Sequence, residues 1–193
     1  CRYLTSVNLP LATTLGTECF CYCDSLTSIS LPSATSLDDY CFDHCTSLTE
    51  INIPNVTTIS QYCFNNCTAL TTLQLPKITS IEAYTFYGCS SLKNVTIPQN
   101  LKSIGDYAFS GCESLDNITL PSSVATIGIG AFKECESIEE FVLPNSLTRI
   151  EDHTFDCCYC LGNITIPDNV KTIGNYAFSG CESLINLELN QVD

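Results

Sequence analysis

The sequence predicts an α/β solenoid rich in β structure: a right-handed coil repeated about eight times, its parallel ladders joined by short helical or 3-10 turns. Three observations predict it. Prolines recur at 10, 32, 54, 76 and 98, then at 121, 144 and 167, so the period is 22 residues and later 23. Ahead of each proline stands the pattern L-x-x-[LIVF]-x-[LI]. Behind each, a phenylalanine is followed three residues later by a cysteine, as at Phe42 and Cys45 or Phe109 and Cys112. A fixed period in the twenties marks coils that bury their apolar face only against copies of themselves.

The stretch Leu92 to Cys112 shows every element of one coil. Leu92, Val95 and Ile97 open it, and the last two alternate with polar residues, which is strand periodicity. Pro98 has no N–H and ends the ladder there. The same triplet runs from Leu4, Val7 and Leu9 to Leu184, Leu187 and Leu189, with Asn190 where the next proline is due. A second apolar pair follows, Val56 and Ile59 in one coil, Leu101 and Ile104 in another, and predicts a second, shorter ladder. The longer coils carry their extra residue just after the proline, in a loop. The Gly-x-x-Ala-Phe-x-x-Cys spacing then fits one short helical turn, too short to stand without its neighbours.

The assembled pattern, with Ile104-Gly105, Ala108-Phe109 and Cys112 as its fullest example and Ile173-Gly174, Ala177-Phe178 and Cys181 as another, resembles the BspA-like class of leucine-rich repeats. The resemblance covers essentially the whole chain and implies a leucine-rich-repeat solenoid. Cys19, Cys41 and Cys63, and elsewhere Thr85 and Thr154, stand where the pattern has alanine before phenylalanine. These departures bear on chemistry inside the column and leave the fold as expected. The resemblance further implies a surface or secreted recognition module, extracellular or at the cell surface, of a kind often appended to larger chains.

The unbroken period makes residues 1–193 one domain. The chain begins at Cys1 in the place that Cys23 holds in the next coil, and ends inside a repeat, so it reads as a piece of a longer chain or a mature product. A net charge of −14 argues against nucleic acid and anionic membranes as partners. No stretch approaches the ~18 apolar residues of a membrane helix, so no membrane insertion is expected.

Fifteen cysteines would fit a disulfide scaffold in a small secreted protein. Their positions argue otherwise. Cys1, Cys23, Cys45, Cys67, Cys89, Cys112, Cys135, Cys158 and Cys181 form one column, whose parallel side-chain vectors do not suit the torsion of an S–S bond. Free, buried thiols are the expectation. Cys157, Cys158 and Cys160 with His153 come nearest to a zinc site, but the paired ligand spacing is missing and each reads as a substitution within its column. His44 beside Cys45 reads the same way, because a buried column thiol is inert. No phosphate loop, nucleophile elbow or zinc-helix motif is present. The chain is therefore read as a non-enzyme with no cofactor and no metal. Sequons occur at Asn55, Asn66, Asn94, Asn117 and Asn163; the last three form a column in the strand motif and read as strand composition, with glycosylation the alternative in a host that secretes through a glycosylating pathway.

Function falls to the outward residues of the first ladder. The candidate binding face comprises Thr72 and Gln74; Lys93, Asn94 and Thr96; Asp116, Asn117 and Thr119; Glu139, Glu140 and Val142; and Asn163 and Thr165. Such rows offer hydrogen-bond donors and acceptors on a rigid frame, suited to a protein or glycan ligand. Family resemblance adds adhesion to a host or extracellular-matrix protein. The competing reading is a structural spacer that presents another domain.

Overall fold

The computed structural model describes residues 1–75 and 77–189. Pro76 and Asn190, two positions of the proline column, lie outside the described residues. Fifteen short strands occur among those described, β1 (Thr14–Leu15) to β15 (Asn186–Leu189), and they fall into two parallel ladders.

In the first ladder Ser28–Ser30 pairs with Glu50–Asn52, and Thr72–Gln74 with Asn94–Thr96. Further along, Glu140–Val142 pairs with Asn163–Ile166, which pairs with Asn186–Leu189. Between these groups, residues 115–120 join only through a bridge from Asn94 to Asn117. That gap is the first passage of the ladder after the coil lengthens at Pro98. The second ladder consists of two-residue strands in three groups: positions 14–15, 36–37 and 58–59; positions 80–81, 103–104 and 126–127; and positions 149–150 and 172–173. Two ladders, the second with the shorter strands, are as the sequence predicts.

The turns differ from the prediction. No helix, α or 3-10, occurs among the described residues. Each coil instead places two residues, four apart, in the left-handed region: Tyr40 and His44, Tyr62 and Asn66, Tyr84 and Gly88, Tyr107 and Gly111. Such backbone breaks any helical run, and for a bulky residue it is costly. Neighbouring coils compensate. The N–H groups of Tyr40, Phe42 and His44 donate to the carbonyls of Gln61, Cys63 and Asn65 at 3.1, 2.8 and 2.8 Å. Alternate amides thus bond across coils, while those of Asp43 and Cys45 close turns onto Tyr40 and Phe42 at 3.1 Å each. The tyrosine rings add a stack from Tyr40 through Tyr62 and Tyr84 to Tyr107, with centroids 4.7, 4.6 and 5.1 Å apart.

The core is columnar. Eight phenylalanines, Phe20 to Phe178, stack ring on ring at 5.3–5.8 Å. Six of them, Phe42 to Phe155, are fully buried. The leucine and isoleucine columns of both ladders pack around them. No buried side-chain nitrogen or oxygen among the described residues lacks a hydrogen-bond partner.

Candidate functional site

Strand alternation sends Leu73, Val95, Phe141 and Ile164 inward and their neighbours out. Backbone register then aligns the outward residues. Thr72, Asn94 and Asn117 fall in one row, and Glu140 and Asn163 continue it. Gln74 stands beside Thr96, and Val142 beside Thr165, in the next row. Of the thirteen residues of the predicted face, Asp116 and Thr165 are half-buried and the rest are exposed. Val142, 77% exposed, puts an apolar side chain amid polar ones.

Charge on the face is uneven. Lys93 and Asp116 pair at 3.2 Å. Glu139 and Glu140 have no ion pair and no side-chain hydrogen bond among the described residues. A depression of about 320 Å³ lies among Glu50, Asn52, Thr72 and Gln74. Threonines at the border of the face tie coils together: the Thr49 hydroxyl donates to the Thr27 carbonyl at 3.0 Å.

The reactive-looking residues are divided between the core and the surface. Cys45 is buried and its thiol donates to the Phe20 carbonyl at 3.1 Å, while burial pushes its pKa up to about 12. His44 turns its Nδ1 to Asp43 at 2.8 Å. Around residue 153, Cys158 faces the core and Cys160 is exposed. Among the described residues no three His, Cys, Asp or Glu side chains converge on a point that could hold a metal ion.

Two buried carboxylates on the phenylalanine-turn side were not foreseen. Asp43 accepts from Asn65 Nδ2 at 2.7 Å, in addition to its contact with His44. Asp156 faces Lys133 Nζ at 2.7 Å and His153 Nδ1 at 3.0 Å. Burial pushes Asp156 up, but its hydrogen bonds from Lys133 and His153 outweigh that and hold its carboxyl below the usual carboxylate range. These side chains join residues 22–23 positions apart and pin adjacent coils. The cross-coil partners carry no local signal in the sequence.

Stacked parallel coils with a long polar ladder face define a solenoid repeat protein of the leucine-rich kind. The family model described as BspA type leucine rich repeat region matches residues 1–81 and 57–188, in six copies, and the chain belongs to that family. No catalytic family is indicated. Among solved structures, the leucine rich repeat protein of T. pallidum is 30% identical with a TM-score of 0.66, the match covering 94% of this chain and 78% of that one. A leucine rich cell surface protein from Faecalibacterium prausnitzii A2-165 is also 30% identical, with a TM-score of 0.74 over 96% of this chain. The chain spans 60% of the length of that second relative. Among curated proteins none matches the sequence. No helix among the described residues is long and apolar enough to cross a membrane.

Proposed function

We propose that the chain is a non-enzymatic recognition module of the cell surface or extracellular space, binding a protein or glycan through the outward side of its first ladder. One observation carries the reading: side chains of that ladder stand in exposed rows on a backbone fixed coil to coil. A face ordered before binding loses little conformational freedom on contact. The F. prausnitzii relative, described as a cell surface protein, supports the location.

The test is a surface-plasmon-resonance screen of the protein against immobilised extracellular-matrix proteins and a glycan array. Saturable binding that is lost in Asn94→Ala with Thr96→Ala, at an unchanged melting temperature, is the expected result. Binding that survives this pair and is lost on altering the tyrosine-turn side would put recognition on the other face. No binding to any matrix protein or glycan would favour the spacer.

A further inference from the structure

Gly162 differs from the other glycines that sit within the stack. Its φ lies outside the left-handed region, and a Cβ built there would meet only Ser183 O at 3.7 Å, Glu139 O at 3.8 Å and Cys160 O at 4.0 Å. These are ordinary contacts. By contrast, a Cβ on Gly105 would come within 2.6 Å of the Ala83 amide, and Gly111 and Gly180 have φ of +73° and +70°. Backbone conformation and packing therefore demand no glycine at 162. What its missing side chain does is open a notch in the recognition face.

The notch measures about 380 Å³ and is lined by Glu139, Glu140, Asn163 and Ile185, with Cys160 and Ser183 at one end. Gly162 continues a column whose earlier members are Lys93, Asp116 and Glu139, all bearing side chains. On one side stand the two carboxylates, neither of them neutralised by a partner among the described residues. On the other stands Ile185, an apolar side chain in an otherwise polar column.

An apolar wall facing two unpaired carboxylates is complementary to a long side chain with a methylene stem and a cationic end. We infer that the Gly162 notch is a specificity subsite for a lysine or arginine side chain of a protein partner. This rests on the recognition reading above and sharpens it, because it favours protein over glycan. A neutral sugar would desolvate Glu139 and Glu140 without a counter-charge, and an anionic one would be repelled. The net charge of −14 acts in the same direction at longer range, speeding the approach of a basic partner.

The test uses an array of random heptapeptides with a central lysine or arginine, and the same array with acetyl-lysine or citrulline there. The tightest binders are then titrated by fluorescence polarisation. The wild-type protein should prefer the charged form by at least about tenfold, less so at high salt. Gly162→Leu fills the notch and leaves every charge in place. It should lower affinity for the charged peptides by about tenfold or more at an unchanged melting temperature. If that variant loses stability, Gly162→Ala and the pair Glu139→Gln with Glu140→Gln carry the test, and both should weaken binding. Equal binding of charged and neutral peptides, or wild-type affinity in the filled and neutralised variants, overturns the subsite. In that event a loss of binding in Asn94→Ala with Thr96→Ala would leave the recognition face standing, and retention there would remove it too. Failure of every peptide to bind also overturns the subsite, while the matrix-protein and glycan screen judges the face separately.

Discussion

The thiol of Cys89 donates a hydrogen bond to the carbonyl oxygen of Phe64, 3.1 Å away in the preceding coil. The same carbonyl accepts the N–H of Cys67 at 3.2 Å, so one oxygen serves a turn and a cross-coil contact. The bond recurs from Cys45 to Phe20 through to Cys181 and Phe155. Cysteine suits this column because it fills little space, is apolar and still carries a donor. All fifteen thiols are free. A thiol reagent should therefore take Cys1, Cys19 and Cys160 quickly in the native protein, and Cys21, Cys157 and Cys181 more slowly. All fifteen should react after denaturation without reductant. Loss of eight or more under those conditions would mean a disulfide-bonded design.

Stability should fall steeply in alkali. Burial pushes the thiol of Cys89 up to about 12, and those of Cys67 and Cys112 are raised well above their ordinary value for the same first reason. An unfolded cysteine ionises near ~8.5. Below that pH both states hold their protons and the contribution is whole. Above it the unfolded chain releases protons that the folded chain keeps, so each such thiol removes about 1.4 kcal/mol per pH unit until its folded pKa is reached. Urea midpoints measured from neutral pH upward should drop sharply by about pH 10, and less so in Cys89→Ala with Cys112→Ala. A flat profile through that range would show the column to be wet.

Phenylalanine positions should differ in cost. Phe109 is fully buried between Phe86 and Phe132, at 5.3 and 5.5 Å, whereas Phe20 has a ring on one side only. Truncating a buried phenylalanine costs about 3–5 kcal/mol. Phe109→Ala should reach that range and Phe20→Ala should fall well below it in chemical denaturation. Equal losses would count against a continuous, neighbour-dependent stack.

Both ladders and the phenylalanine column are legible in the sequence because each rests on apolar alternation within a single coil. The turn conformation is not. Gly88, Gly111, Gly130 and Gly180 hint at left-handed backbone, but Tyr62, Asn66, Glu134 and His153 adopt it as well. Propensity disfavours that choice, and bonds to the next coil impose it. Outward exposure of the candidate face follows from the strand period alone. The notch at Gly162 had a signal, a glycine where Lys93, Asp116 and Glu139 precede it, but its meaning needs the contacts a Cβ would make. The networks of Asp43 and Asp156 had none, since their partners meet only when coils stack.

Two glycines should respond in opposite ways to the same change. The Asp106 carboxylate crosses to the next coil and accepts the N–H of Ile129 at 2.8 Å. A Cβ on Gly128 would overlap that carboxylate oxygen and lie 2.6 Å from the Asp106 amide nitrogen. Gly128→Ala should therefore wedge two coils apart at a cost of about 1–3 kcal/mol or more. Gly162→Ala, with no such neighbour, should stay within about 0.5 kcal/mol of the wild type. Thermal melts of the two variants decide the matter, and a comparable loss in both would mean that Gly162 has a structural duty.

Charge reversal separates recognition from stability on the proposed face. Glu139 and Glu140 are exposed and touch no cation among the described residues, so replacing both by lysine removes no native ion pair. Each change removes one negative charge and adds one positive, so the pair takes the net charge from −14 to −10 and eases self-repulsion. The melting temperature of Glu139→Lys with Glu140→Lys should then hold or rise slightly. Affinity for a basic partner should fall by about tenfold or more, chiefly through slower association at low salt, and the difference from wild type should shrink as salt screens it. Association kinetics at two ionic strengths provide the measurement. A partner that binds the reversed variant as fast as the wild type does not meet the chain at these carboxylates.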